Sequence, residues 1–353
     1  MPRPPDTAPA TGVYLVVGPD AHGVVIHGMR LAQASPQLAA ALVRVRLPGS
    51  GVTPPPLLPD VPAGTPVLLQ VTDRLLGPTP EAAAEVVTEL GSRTRLVLAL
   101  HDVPQPSEGA AWYARRRAAY ASFVEAAESV VVASEFERRL LEECCGATLS
   151  GVDVLVVPLP VERLEPPVAQ PPTGLRSLAV LGFLYPGKGL EELIDLSAEL
   201  GRTSGPVTVI NLGGVAEGHE SLVDELTDRA RARGVGFEVT GYLPDADLPG
   251  ALREAGVPVA PHRHISASGS INAWLAAGRR PVVRRGPYVE ELAARLPGSV
   301  AVADELAAGI AQALEAPETT WLGPEVVLGP TDAEVAAAHA NALAGAAALA
   351  RRR

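Results

Sequence analysis

The stretch Val180-Leu181-Gly182-Phe183-Leu184-Tyr185-Pro186-Gly187-Lys188-Gly189-Leu190-Glu191-Glu192-Leu193-Ile194 leaves an apolar strand, turns through glycines around a lysine, and enters a helix. The strand is expected over Leu178–Gly182 and the helix over Leu190–Leu200. A glycine-rich turn at a helix start suits phosphate oxygens, because backbone N–H groups and the helix dipole face the same point. The turn lacks the Gly-Lys-Ser/Thr ending of a nucleotide triphosphatase loop. A surface lysine in solvent is the plainer reading of Lys188.

Downstream of it, strands are expected at Pro206–Leu212, Phe237–Thr240, Val257–Ala260 and Pro281–Val283. Helices are expected between them at Ser221–Arg233, Leu248–Ala255 and Asn272–Ala277. Upstream, the same alternation runs from Val13 to Val157. Strands are read at Val13–Val17, Pro66–Val71, Arg95–Leu100, Ser129–Ala133 and Val152–Val157. Helices are read at His22–Ala34, Pro80–Leu90 and Trp112–Glu128, with one more capped by Ser134. Strand–helix alternation predicts parallel sheets. Pro158–Gly174 carries six prolines and little periodicity, so it reads as a linker. An Ala-rich helix, Thr331–Ala350, closes the chain before Arg351–Arg353.

The 353 residues suit two domains of roughly 150–180 each. Hydrophobic residues make up 47% and aromatics only 4%, so the cores must be Ala, Val and Leu. That composition fits strands buried on both faces. A net charge of −11 argues against a general nucleic-acid binder. The only cysteines, Cys144 and Cys145, are adjacent and have no metal-ligand companions in the pattern, which suggests a reducing cytoplasm. Met1–Thr11 is Pro-rich and unlike a signal peptide, and the apolar runs are strand-length. A cytoplasmic protein, with peripheral membrane contact left open, is therefore expected.

In open sheets of this class ligands bind beyond the carboxyl ends of the strands. Four strand-end loops stand out besides that of Lys188. Gly18-Pro19-Asp20-Ala21-His22-Gly23 opens the first helix, with a simple tight turn as the alternative. Thr72-Asp73-Arg74 and His101-Asp102 end neighbouring strands; His101 is suited to a sugar hydroxyl or to proton exchange, or else it merely caps its strand beside Asp102. Pro258–Arg285 has no acidic residue, yet carries His262, Arg263, His264, Arg279, Arg280, Arg284 and Arg285. Within it, Ser266-Ala267-Ser268-Gly269-Ser270 reads as a small-residue loop opening the Asn272 helix, suited to a diphosphate or sugar hydroxyls.

Taken together, these motifs resemble a GT-B glycosyltransferase of the GT4-like (group 1) kind. The matching stretches are Val131–Glu142, Val180–Ile194, Gly241–Pro261 and Ala276–Val283, in that order. The resemblance implies an α/β fold of two Rossmann-like domains with parallel sheets facing a central cleft. It implies an acceptor domain (1–160), a linker (161–174), a nucleotide-sugar domain (175–330) and a final helix (331–353) crossing back to the first domain. It implies sugar transfer from a nucleotide-diphosphate-sugar co-substrate, retaining and metal-independent, with no further cofactor. The acceptor would be a glycan, a lipid or a small natural product, and a homo-oligomer is compatible with it. His101 and Asp102 would be catalytic. Gly18, His22, Gly23, Lys188, Arg263, Ser268, Gly269, Ser270 and Asn272 would bind the donor, and Asp73 and Arg74 would lie on the acceptor side. The chain departs from the family in two places. Phe183 and its neighbours stand where an arginine precedes the lysine, and no glutamate pair brackets the Ser/Gly loop. Those departures motivate the alternative of a non-catalytic nucleotide- or sugar-binding relative. A dinucleotide oxidoreductase would need a Gly-x-Gly-x-x-Gly turn, which is absent. An inverting transferase is distinguished by product stereochemistry.

Overall fold

The structure, a computed structural model, describes residues 12–47, 58, 60–164 and 176–350. The Met1–Thr11 segment, the whole of Gly49–Pro56, linker residues 165–174 and Arg351–Arg353 lie outside the described residues. The chain divides into two compact units: Met1–Leu159 with Pro330–Arg353, and Pro160–Gly329.

The first unit runs β1 (Val13–Gly18), α1 (Gly23–Ala34), α2 (Pro36–Ala41), β2 (Leu42–Arg46), β3 (Pro66–Val71), α3 (Asp73–Leu76), α4 (Pro80–Arg93), β4 (Arg95–Leu100), α5 (Ala110–Glu125), β5 (Ser129–Val132), α6 (Glu135–Cys145) and β6 (Asp153–Val156). Its six parallel strands are ordered β2-β1-β3-β4-β5-β6. Period-two alternation divides β1 between two cores. Leu15 and Val17 face Val87, Leu90, Tyr120 and Phe123 of α4 and α5. Tyr14 and Val16 face Leu31 of α1 and Val335 and Leu343 of the final helix. Side-chain oxygens start several helices: Ser35 accepts from Leu38 N, Thr79 from Ala82 N and Ser134 from Glu137 N.

The second unit runs β7 (Ser177–Leu181), α7 (Leu190–Ser204), β8 (Thr208–Leu212), α8 (Ser221–Arg233), β9 (Gly236–Val239), α9 (Leu248–Glu254), β10 (Val257–Ala260), α10 (Gly269–Ala276), β11 (Val282–Arg284), α11 (Pro287–Arg295), β12 (Ala301–Ala303) and α12 (Leu306–Glu315). Its six strands are also parallel, in the order β12-β11-β10-β7-β8-β9. Leu178 and Val180 pack on Leu193, Ile194, Leu226 and Ile310, while Ala179 and Leu181 face Leu252 and Trp274.

The final helix α13 (Asp332–Ala350) belongs to the first unit, where it lies on α1, β3 and β4. Arg30 of α1 pairs with Asp332 at its start (2.7 Å). The first residues of the expected linker are no tether. Leu164 N donates to Ala276 O (2.7 Å), and Arg163 donates to Gly323 O and Val326 O, so this segment is built into the second unit. Among the described residues, no helix is long and apolar enough to cross a membrane.

Candidate functional site

Read from β9, the second sheet is ordered three-two-one-four-five-six, and its order reverses between β7 and β10. Such a switch point opens a crevice at the strand ends. Two loops meet there, Gly182–Gly189 from β7 and Pro261–Ser268 from β10. Gly189 has φ +93°, and a Cβ on it would stand 3.0 Å from both Cβ and O of Pro261. Replacing Gly189 with Ala is therefore expected to cost about 1–2 kcal/mol, read by denaturant unfolding.

Lys188 lies inside this meeting of loops, only 4% exposed. Its ammonium is 5.5 Å from the Tyr185 ring centroid and forms no ion pair among the described residues. Gly182 (φ +111°) makes the room, since a Cβ there would approach Nζ to 3.0 Å. Burial pulls the Lys188 pKa down to about 8. His262 stands across from it. Burial first, then the lysine charge, lowers its pKa to about 3, and its buried Nδ1 has no hydrogen-bond partner among the described residues. Lys188 immediately precedes Gly189, the N-cap of α7, and no side chain caps the first turn of that helix.

The Ser/Gly loop is shorter than its sequence suggests, because α10 already begins at Gly269. Ser268 is its N-cap, accepting from Ile271 N (3.2 Å) and sharing a hydrogen with Ser270 Oγ (3.1 Å). Nothing lies within 4 Å of a Cβ built on Gly269, which leaves that backbone approachable. Asn272 is buried, and its amide donates to Pro160 O (3.2 Å), which anchors the start of the unit.

The acid-free stretch is not a bare positive field. Glu192 of α7 takes Arg263 on one oxygen (3.1 Å) and Arg284 on the other (2.7 Å). Arg285 pairs with Glu290 (3.1 Å) and with Asp304. Arg279 is buried; it donates to the carbonyls of Leu252, Arg253 and Ala255 and stacks over Trp321 (4.5 Å). The compensating acids come from elsewhere in the fold. Arg263 is thus a paired surface cation, while Lys188 is buried and has no ion-pair partner among the described residues.

In the first unit the strand order reverses between β1 and β3, and the same rule points to the loops after them. Gly18 (φ +136°) is there for packing: a Cβ would press to 2.8 Å on Leu75 and 2.9 Å on Val25. Its carbonyl accepts from Arg44 (2.6 Å). Gly23 is open, with nothing within 4 Å of a built Cβ. His22 caps α1, Nδ1 accepting from Val24 N (3.2 Å), which leaves Nε2 for any ligand. Burial and then the charge of Arg74 lower its pKa. Arg74 is exposed and forms no ion pair among the described residues.

His101 ends β4 and is not satisfied by Asp102; Gln70 Oε1 meets its Nε2 at 2.7 Å. Its ring stands 5.4 Å from His27 of α1, which stands 6.3 Å from His339 of α13. Enclosure, followed by the charges of His339 and His22, pushes the His101 pKa down to about 3, so the ring is neutral near pH 7. With Gln70 Oε1 accepting, Nε2 carries the hydrogen and Nδ1 the lone pair. Asp102 instead bonds Arg116 (3.2 Å) and keeps a side chain 60% exposed.

Asp73, expected on the acceptor side, is an interior residue. It is 2% exposed and held by Arg116 through Nε (3.2 Å) and Nη2 (3.0 Å). A carboxylate at the start of a four-residue helix looks solvated in sequence; the guanidinium that neutralises it lies 43 residues on. Sequence reasoning also missed Gln70, His27, His339, Glu192 and Arg116. In the sequence His262 is only one basic residue among several.

No sequence-family profile matches the chain, and no curated protein matches it by sequence. Its fold has solved counterparts. The chain matches HepE (Alr3699) of Anabaena, in complex with UDP and glucose, at 16% identity and TM-score 0.63, over 97% of this chain and 98% of that one. It matches sucrose-phosphate synthase of Thermosynechococcus elongatus at 14% identity and TM-score 0.64, over 97% and 98%. It matches the trehalose-6-phosphate protein of E. coli bound with UDP-2-fluoro glucose at 11% identity and TM-score 0.60, over 94% and 96%. The fold is GT-B, with two Rossmann-like domains, each built on six parallel strands.

Proposed function

We propose that the chain is a glycosyltransferase that takes its sugar from a nucleotide-diphosphate donor bound by the second unit. The observation that carries this reading is Lys188: a buried cation with no carboxylate partner among the described residues, next to the N-terminus of a helix that no side chain caps, at the switch point of a Rossmann-type sheet. An uncompensated interior ammonium is costly unless an anion completes it. UDP or UDP-sugars in the solved proteins of this fold support a diphosphate as that anion.

As the bond from the anomeric carbon to the diphosphate oxygen breaks, charge builds on the leaving group. Lys188, the α7 N-terminus and the Gly269 backbone would offset it. Asn272 is the candidate for the donor ribose, although its amide also serves Pro160. His101, being neutral, would offer the Nδ1 lone pair to a sugar hydroxyl rather than a positive charge. Retention, metal independence and an acceptor among glycans, lipids and small natural products belong to the same proposal, by likeness of sequence motif. The acceptor side then rests on Arg74 without Asp73. Two free buried cysteines and the absence of a spanning helix among the described residues fit a cytoplasmic enzyme.

Incubation with a panel of nucleotide-diphosphate sugars is expected to give slow donor hydrolysis without any acceptor. One observation favours a second reading, a binding protein without turnover: no carboxylate lies between Val257 and Arg285. Donor binding without turnover of any member of the panel would establish that second reading.

A further inference from the structure

Asp102 is the one non-glycine residue with positive φ among the described residues, at φ +61°. Such backbone persists only where its surroundings over-determine it, and it collects at functional sites. It immediately follows His101, and two side chains of α5, Arg116 and Tyr120, hold it. Arg116 of α5, 2% exposed, donates to Asp102 O (2.6 Å) and to Asp102 Oδ2 (3.2 Å). The same guanidinium binds Asp73 beyond β3 and Glu108 Oε1 beyond β4 (2.6 Å). Glu108 in turn accepts from Gln105 N (2.9 Å). Tyr120, one turn along α5, sets its hydroxyl 3.2 Å from the carbonyls of both His101 and Asp102.

Three carboxylates on one guanidinium are more than neutrality needs. What Arg116 adds is geometry: a rigid five-donor fork that ties the loops after β3 and β4 together and holds the carbonyl and carboxylate of Asp102, while Tyr120 holds the His101 carbonyl. The imidazole is pinned at Nε2 by Gln70. With backbone and Nε2 both fixed, the direction of Nδ1 is fixed too. We propose that Arg116 is a positioning residue for His101, holding the left-handed turn at Asp102 that aims the imidazole. The inference rests on the proposed role of His101 only where it touches turnover.

The test uses the full chain with isotope-labelled histidine, the His101 signals being identified by their loss in His101→Gln. Arg116→Lys keeps the charge but replaces the fork with a single ammonium. It is expected to shift or broaden the His101 ring signals and change the tautomer balance. Arg116→Lys/Asp102→Gly should restore them, because glycine adopts this φ freely and no longer needs the clamp. Should Arg116→Lys fail to fold, Tyr120→Phe removes the hydroxyl at the His101 carbonyl and should shift the same signals to a smaller degree. With UDP-glucose as donor, Arg116→Lys should lower kcat about a hundredfold at unchanged KM. His101 signals that stay put in the lysine variant, or a shift that glycine at 102 does not reverse, would overturn the proposal. Shifted and rescued signals beside a His101→Gln variant of undiminished turnover would uphold the positioning and sink the transfer role of His101.

Discussion

Arg116→Met is expected to destabilise the first unit by about 3–5 kcal/mol, the usual cost of leaving a buried charge without its partner. Asp73 is 2% exposed, and Arg116 supplies both of its charge-assisted bonds. Methionine fills similar space but donates nothing, so the carboxylate would be stranded beside Asp102 and Glu108. For a unit of this size the loss corresponds to a fall of roughly 10 °C in the melting temperature. The double variant Arg116→Met/Asp73→Asn removes the stranded charge and should recover much of the difference, because buried pairs are often nearly neutral when both members are replaced. Equilibrium unfolding of the four proteins gives the coupling directly. A single-variant loss below about 1 kcal/mol would show that water reaches Asp73 and that the cluster is not an interior clamp.

What the sequence made legible, and what it hid, follows from the distance over which each feature is decided. β3 and β4 were readable because Pro66–Val71 and Arg95–Leu100 are near-continuous apolar runs, as strands buried on both faces must be. β2 and β12 were not. Leu42–Arg46 is an edge strand with alternating arginines, and Ala301–Ala303 is three residues long. α11 and α12 are no more legible, and α2 and α3 are only six and four residues long. Lys188 was legible because its setting is local: strand, glycines and helix within a dozen residues. Arg116 was illegible because it is the middle of three consecutive arginines, and only packing separates their fates. Arg115 reaches Glu81 at the surface, Arg117 takes the Cys144 carbonyl, and Arg116 alone turns inward. The acid-free stretch misled for the same reason. Glu192, which serves Arg263 and Arg284, is 71 and 92 residues away from them in sequence. A window of charge along the chain says little about charge in space once a sheet folds those segments together.

The second large effect is a pH dependence of donor affinity set by Lys188. With its pKa at about 8 in the empty site, the ammonium is mostly charged at pH 7 and mostly neutral at pH 9. A diphosphate against Nζ favours the charged form and raises that pKa, while its own last ionisation, near 6, is already complete. Binding above pH 8 must therefore take up a proton. Affinity for UDP should be flat from pH 6.5 to about 7.5 and then fall, approaching tenfold per unit, toward the bound-state pKa. Stability of the empty protein should run the other way. A lysine depressed on folding binds fewer protons in the native state than in the unfolded chain, so its contribution rises with pH between about 8 and 10.4. Lys188→Met removes both trends. At pH 7 it should also weaken UDP binding by about 10–100-fold, the worth of a hydrogen bond to a charged group. Calorimetry at pH 7 and 9, in buffers of different protonation enthalpy, measures affinity and proton uptake together. UDP affinity independent of pH across that range, or equal in wild type and Lys188→Met, would remove the diphosphate from Lys188 and the donor from the β7–β10 switch point.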